Sequence, residues 1–403
     1  MEVKLTERQQ RFIDLAAAHA EDFKTRVAQH DRDNTFPFEN IEALKKSGYS
    51  ALTVPEELGG SGANVLELAL AQERLGRGDA PTAVGINMHR LLVSTLADMW
   101  RLGAKEWAPL LESLARDRII FAIPINDPKL HSTTGIGGFN DAAGRRAEKV
   151  DGGYVVNGRS GFGTMSACAD YMISTAHYDD PEKGPQCLLF FLPAKTPGIK
   201  IQNNWDTMTI RASLSNDVVW DNVFVPETAA VLRVAREWDT FFKVAMCWAV
   251  PCLDACYLGL AQAARDYAIG WVGERQQVPF DRPMSHYPGN QFLAAEMEIG
   301  LQAARAMLIQ TATAVNDLSV RPNPPMTTLI ACRQFVPESV VQVVDKAMRM
   351  VGGAALYRAN PLEQMYRDIR AAIIHQPFAG HDGLGVLGKL LFGISHDTMP
   401  RWA

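Results

Sequence analysis

The sequence is short of almost every signature that would assign it a function at once. Its six cysteines (Cys168, Cys187, Cys247, Cys252, Cys256 and Cys332) form no CxxC pair, which argues against a zinc site or a disulfide framework. A reducing cytoplasm is the expected compartment. No uninterrupted apolar run approaches the roughly 18 residues of a membrane span, and the N-terminus, MEVKLTERQQRF, is polar with a helical pattern rather than a signal peptide. Charged residues make up 21% of the chain and the net charge is only -5, with no Lys/Arg stripe for nucleic acid and no acidic tail for a basic partner. The expected partner is a small molecule, neither nucleic acid nor membrane. No GxxxxGK[ST], HExxH or GxSxG motif is present. Gly135-Ile-Gly-Gly-Phe does not complete GxGxxG, and no βαβ alternation surrounds it. The closest histidines, His375 and His381, stand six residues apart, a poor spacing for two metal ligands on one helix face.

What is present is ample core material, with 47% hydrophobic residues in a chain of 403, enough for two or three domains. Up to about Asp117 the pattern is helical: Phe12, Leu15 and Ala16 share a face, as do Ile41, Leu44 and the Lys45 stem, and Leu66, Leu70 and Leu75 follow a loop marked by Gly59, Gly60 and Gly62. Arg118 to Ile123 reads as a buried strand. Asp151-Gly152-Gly153 followed by Tyr154-Val155-Val156 reads as a hairpin, and Tyr171–Ile173, Cys187–Phe191 and Val218–Trp220 as further strands. Helical spacing returns in Leu253, Tyr257, Leu260, Ala264, Tyr267 and Trp271, and in Leu293, Met297, Leu301, Ala304 and Leu308. A third helix around Val340–Met350 is expected to be bent or restarted by Pro337 and to end at Gly352-Gly353. The expected organisation is α+β: an N-terminal helical domain (1–118), a central antiparallel β domain (119–228) and a C-terminal helical domain (229–403).

Several local sequences, in order, carry a family resemblance: Thr53-Val-Pro-Glu-Glu-Leu-Gly-Gly-Ser-Gly, Asp151-Gly-Gly-Tyr-Val-Val-Asn-Gly-Arg, Asp221-Asn-Val-Phe-Val-Pro-Glu, Gly259-Leu-Ala-Gln, Met350-Val-Gly-Gly and Tyr366-Arg-Asp-Ile-Arg. Together they resemble the acyl-CoA dehydrogenase superfamily over nearly the whole chain. The resemblance implies a C-terminal four-helix bundle, a homotetramer, and FAD held between the β domain and the C-terminal helices, with FMN left open because Gln276-Gln-Val-Pro-Phe departs from the family's RxxFG. It places Phe162 and Thr164 against the flavin ring, Arg275 at the cofactor pyrophosphate, and Arg349, Gly352 and Gly353 at the loop where backbone approaches the cofactor.

The departures bear on the chemistry. Removing an α-proton while hydride passes to the flavin needs a carboxylate base. The position of the family's usual glutamate holds Gln376, in Ile374-His375-Gln376-Pro377, and the alternative base position, ten residues before Gly259, holds Ala249. Cys247 and Val250 stand where the family often has the Asp and Arg that contact a CoA thioester. The His-x-Pro setting of His375 resembles instead the branch of flavin-dependent monooxygenases, which take reduced flavin from a partner reductase. That branch implies that His375, His89 and Thr164 hydrogen-bond the flavin during its reaction with oxygen. Asp254, Asp127 or His375 as a substitute base would keep a thioester dehydrogenase open, and a non-catalytic flavin-binding role is a third alternative. The segment Ile125–His131, which departs from the family's TEPxxGSD, is expected to line the substrate side.

Overall fold

The computed structural model describes residues 5–126, 144–234, 240–279 and 281–394. In the N-terminal part, Thr6 Oγ1 accepts the Gln9 N–H while Gln9 Oε1 accepts the Thr6 N–H, a capping box that starts α1 (Glu7–Phe23). Helices α2 (Val27–Asp33) and α3 (Phe38–Lys46) follow. Asn64 and Glu67 form the same reciprocal cap on α4 (Val65–Gly76), and Asp79 accepts the Thr82 N–H at the start of α5 (Ala80–Arg101). Helix α6 (Ala108–Asp117) ends at Arg118, whose left-handed backbone (φ 57°) turns the chain into the sheet, so the expected strand there shrinks to β1 (Phe121–Ala122).

The sheet comprises β1, β2 (Arg145–Val150), β3 (Gly153–Ser160), β4 (Tyr171–Asp180), β5 (Gly184–Pro193), β6 (Ile199–Ile201), β7 (Val218–Pro226) and β8 (Ala230–Val234), in the order β6-β7-β3-β2-β4-β5-β8 with β1 beside β4. The expected hairpin is there: Val150 pairs with Gly153 across Asp151-Gly152. Two expectations are corrected. The sheet is mixed rather than antiparallel, because β4 pairs in parallel with both β1 and β2. It also runs past residue 228, because the Ala230–Val234 segment pairs with β5 from Phe190 to Gln186. Trp220, Phe190, Leu188 and Val156 fill one face, and the Trp220 indole donates to Ser160 Oγ at 2.8 Å.

The C-terminal part has three long helices, α7 (Thr240–Glu274), α8 (Pro288–Ala314) and α9 (Met326–Val351), with the short α10 (Pro361–Ile369) and α11 (Gly380–Leu391) packed on α9. Helix α9 runs unbroken through Pro337, and α7 through Pro251, because packing on several sides holds the backbone where the proline withholds a donor. By length and composition α7 could cross a membrane, contrary to the expectation from uninterrupted runs, but its apolar window is 100% buried inside the fold. It is the axle of the molecule, packed against α4, α5, α8 and α9. Gly259 of the Gly-Leu-Ala-Gln segment explains one contact: a Cβ there would fall 2.1 Å from the Glu73 carbonyl oxygen, so α4 and α7 cross with their backbones touching.

Candidate active site

Three segments meet around the end of the sheet: 161–169 after β3, 202–216 between β6 and β7, and 370–379 after α10. On the first, Phe162 has a left-handed backbone (φ 54°) and keeps 59% of its surface exposed, with its ring edge-to-face on Trp205 (centroids 5.8 Å apart). An exposed aromatic on a conformation uncommon for a bulky residue suits a planar ligand that would cover it. Two residues on, buried Thr164 Oγ1 lies 2.8 Å from Ser215 Oγ, which lies 2.9 Å from Ser213 Oγ. The three hydroxyls form a relay in which each can donate or accept.

Asp368 bolts the second segment to the end of α10, from which the third continues. Its Oδ1 accepts the Ile210 N–H at 2.6 Å, and its carbonyl accepts the Thr209 hydroxyl at 3.1 Å. Next to it, Arg367 pairs with Asp31 and Glu363 (2.6 and 2.7 Å) and donates to the Met208 carbonyl, so all three parts of the chain meet at one node. Burial raises the Asp368 carboxyl to about 7. The folded state therefore holds this proton more tightly than the unfolded chain, and the resulting stability is present at acid pH and lost as pH rises from about 4 through 7. Asp368→Asn keeps an acceptor for Ile210 and should remove that component. Compared by urea melts at successive pH values, wild type should lose about 1.4 kcal/mol per pH unit relative to the variant across this window; parallel curves would contradict the assignment.

His375 sits in the third segment, its Nδ1 2.9 Å from the Tyr257 hydroxyl on α7. Burial first, then the nearby Arg333 guanidinium, pushes the imidazole down to about 3, so it is neutral at ordinary pH. Burial also raises the Tyr257 phenol. The segment is held by Arg333 of α9, which no sequence motif had singled out. The fully buried guanidinium donates to the carbonyls of Ala372 (2.8 Å), His375 and Pro377 (3.2 Å), and it pairs with Asp254 of α7 at 2.6 Å. Asp254, proposed above as a substitute base, is thus fully buried and committed to this pair, and burial raises its carboxyl to about 6. Gln334 donates to the Phe378 carbonyl, and Gln376 folds back so that Oε1 accepts the Ala379 N–H at 3.2 Å.

The remaining expected residues lie apart. His89 is fully buried on α5: Nε2 donates to the Ser50 carbonyl (3.2 Å) and Nδ1 accepts the Phe121 N–H (3.0 Å). Burial lowers it to about 3. Both ring nitrogens are used within the protein, which leaves none for a flavin, contrary to the expectation for this residue. Arg275, exposed at the end of α7, lies over the Trp271 ring at 3.5 Å. Arg349 pairs with Asp345 at 2.7 Å. Gly352 (φ 73°) ends α9 and, like Gly353, faces open space where a Cβ would stand, as a backbone approached by a ligand or a second copy requires. Among the described residues no hydrogen bond joins His375 to Thr164; the Asp368 node is what sets their segments side by side. Asp127, residues 127–131 of the expected substrate segment, and the Gly135 segment lie outside the described residues.

The arrangement of N-terminal helices, a central sheet and C-terminal helices is a fold of the acyl-CoA dehydrogenase type. Residues 6–107 match the family model for the acyl-CoA dehydrogenase N-terminal domain, and residues 252–379 that for the C-terminal domain. YdbM of Bacillus subtilis (strain 168), which carries the name of an acyl-CoA dehydrogenase, is 33% identical over 92% of this chain and 94% of its own. The chain belongs to the acyl-CoA dehydrogenase family. It is also similar to the amino sugar nitrososynthase DnmZ of Streptomyces peucetius, at 27% identity over 95% of this chain and 93% of that protein. The solved structure of KijD3 with FMN and a dTDP-linked 3-amino-4-keto sugar superposes with a TM-score of 0.86 at 26% identity, covering 99% of this chain and 97% of the other.

Proposed function

We propose that this chain is a flavin-dependent monooxygenase acting on a heteroatom, most simply an amine nitrogen, of a small molecule. The observation that carries the reading is the identity of the residues where a dehydrogenase needs a carboxylate: Gln376 and Ala249, with the nearby Asp254 locked to Arg333. Similarity to the nitrososynthase supports it. The cofactor is a flavin, FMN as in KijD3 or FAD as the family resemblance implies, and when bound it supplies the redox chemistry. The substrate gains one atom of O2, the other leaves as water, and the electron pair comes from a flavin reduced by a separate reductase.

The protein's share is to position groups and manage protons. Phe162 offers its exposed face to the ring system, and Thr164 offers a hydroxyl backed by Ser215 and Ser213. With the Tyr257 hydroxyl, 2.9 Å away, as donor to His375 Nδ1, the neutral imidazole carries its proton on Nε2, free to donate to the reacting atoms. His89 serves by tying α5 to β1 rather than by touching ligand. We place the enzyme in the cytoplasm as a homotetramer; exposed Phe292 and Ile299, seven residues apart on one face of α8, suit contact between copies.

The test supplies reduced flavin and isotopically labelled O2 with a panel of small amines. The expected result is a product carrying one labelled oxygen. Recovery of all the oxygen as peroxide for every amine would count against nitrogen oxidation. Tyr257→Phe should lower the fraction of oxygen reaching product about fivefold, since one neutral hydrogen bond is worth about 1 kcal/mol; an unchanged fraction would remove Tyr257 from the mechanism.

The YdbM relative favours a second reading, an acyl thioester dehydrogenase of unusual base. Of the two candidate bases among the described residues, that reading favours His375, since Asp254 has no exposure.

A further inference from the structure

Arg90, on α5 next to His89, is fully buried, yet among the described residues only one of its nitrogens has an acceptor: Nη1 donates to the Tyr49 carbonyl at 2.5 Å. Among the described residues Nε and Nη2 have no partner. The guanidinium lies 4.6 Å over the Tyr49 ring, which compensates part of the charge. Its ionisable neighbours are Tyr49, Cys252, Cys256 and His89, all kept neutral by burial, and no carboxylate faces it among the described residues. A buried charge without a counterion is strongly unfavourable. Nε and Nη2 together form the edge of a guanidinium that takes a carboxylate with two parallel hydrogen bonds.

Two more groups without a partner among the described residues belong to neighbouring residues, Asn87 on the same helix and Ser50 beside Tyr49. Asn87, one turn before Arg90 on α5, accepts from Gln72 Nε2 through Oδ1 at 3.3 Å, and this orientation leaves buried Nδ2 without an acceptor among the described residues. Gln72 is itself oriented by the Tyr49 hydroxyl, which donates to Oε1 at 2.8 Å. Ser50, whose carbonyl anchors His89, has a buried hydroxyl with no partner among the described residues. The Asn87 and Arg90 atoms are donors only, and the Ser50 hydroxyl can donate, so the set calls for an acceptor-rich anion. Cys256, beside Arg90, directly precedes Tyr257, the residue that meets His375.

We propose that Arg90, Asn87 and Ser50 bind a carboxylate of the substrate, with Arg90 engaging it through Nε and Nη2. The inference rests on the flavoenzyme reading for where the other end of the substrate goes, but its test needs no turnover. Benzoate is the probe, with benzyl alcohol as its neutral counterpart and chloride at equal ionic strength as a simple anion. Thermal midpoints are measured on wild type, Arg90→Met and Arg90→Lys.

Benzoate should raise the wild-type midpoint by several degrees while the alcohol and chloride do not. Arg90→Met should abolish the response and raise the ligand-free midpoint, because it removes an unpaired buried charge. Arg90→Lys, which keeps the charge without the two-pronged edge, should weaken benzoate binding at least tenfold. This second variant decides the matter if the first does not fold. Absence of a wild-type response, an equal response to chloride, or undiminished benzoate binding by Arg90→Lys would each overturn the proposal. Benzoate binding that behaves as expected, together with no oxygen transfer to any amine, would leave this site standing and remove the oxygenase reading instead.

Discussion

Arg333→Met should destabilise the protein by about 3–5 kcal/mol in urea melts, the usual cost of stranding one member of a buried ion pair. The reason is specific to this site. Removing the guanidinium leaves Asp254 as an uncompensated buried charge and strips donors from the carbonyls of Ala372, His375 and Pro377. The double variant Arg333→Met/Asp254→Leu, which takes both charges away, should recover a large part of the loss. Its remaining defect should be functional, since nothing then orients the segment bearing His375. Equal destabilisation by the single and double variants would show that the pair is not the source of the effect. Raising the pH cannot substitute for the mutation: burial already raises Asp254 to about 6, so near neutral pH it is the ionised carboxylate that Arg333 offsets.

His375→Ala should lower the yield of product per O2 by about a hundredfold or more, the range typical of losing a positioned proton donor, with hydrogen peroxide released instead. The fold should survive, because the carbonyls that hold the segment belong to the backbone and the side chain is only partly buried. The same geometry fixes the pH dependence. With its ionisation pushed down to about 3 by burial, His375 stays neutral through the usual acid range, so coupling in wild type should show no acid limb near 6.5 attributable to this residue. A limb at that pH that disappears in His375→Ala would mean the imidazole is solvated and ordinary. Unchanged coupling in the variant would remove it from the mechanism.

Much of the fold was legible in the sequence because the signals are periodic. The stripe from Leu253 to Ala264 lies buried along α7, Met297 to Leu308 along α8, and the Asp151-Gly152 turn joins β2 to β3 as its chemistry demands. Parallel pairing of β4 was not legible, since alternation along a strand reports which face is buried and not the direction of its neighbour. The candidate site was legible only through resemblance at Phe162, Thr164 and His375. Its supports were not: Tyr257 reads as one more apolar member of a stripe, and Arg333 and Asp254 lie on different helices. A signal did exist, in one acid and one base set alone within two long apolar stretches, a pattern that burial tolerates only if the two meet. Arg90 carried the same signal on α5, without a matching acid.

The central claim is that this site reacts with oxygen through its flavin and does not draw hydride from a thioester. It is tested most directly by mixing the flavin-loaded protein with butyryl-CoA in the absence of oxygen and following the flavin absorbance. The account predicts that the flavin stays oxidised, because Gln376 and Ala249 supply no carboxylate and Asp254 is held by Arg333. Rapid bleaching would contradict it and return the protein to thioester dehydrogenation.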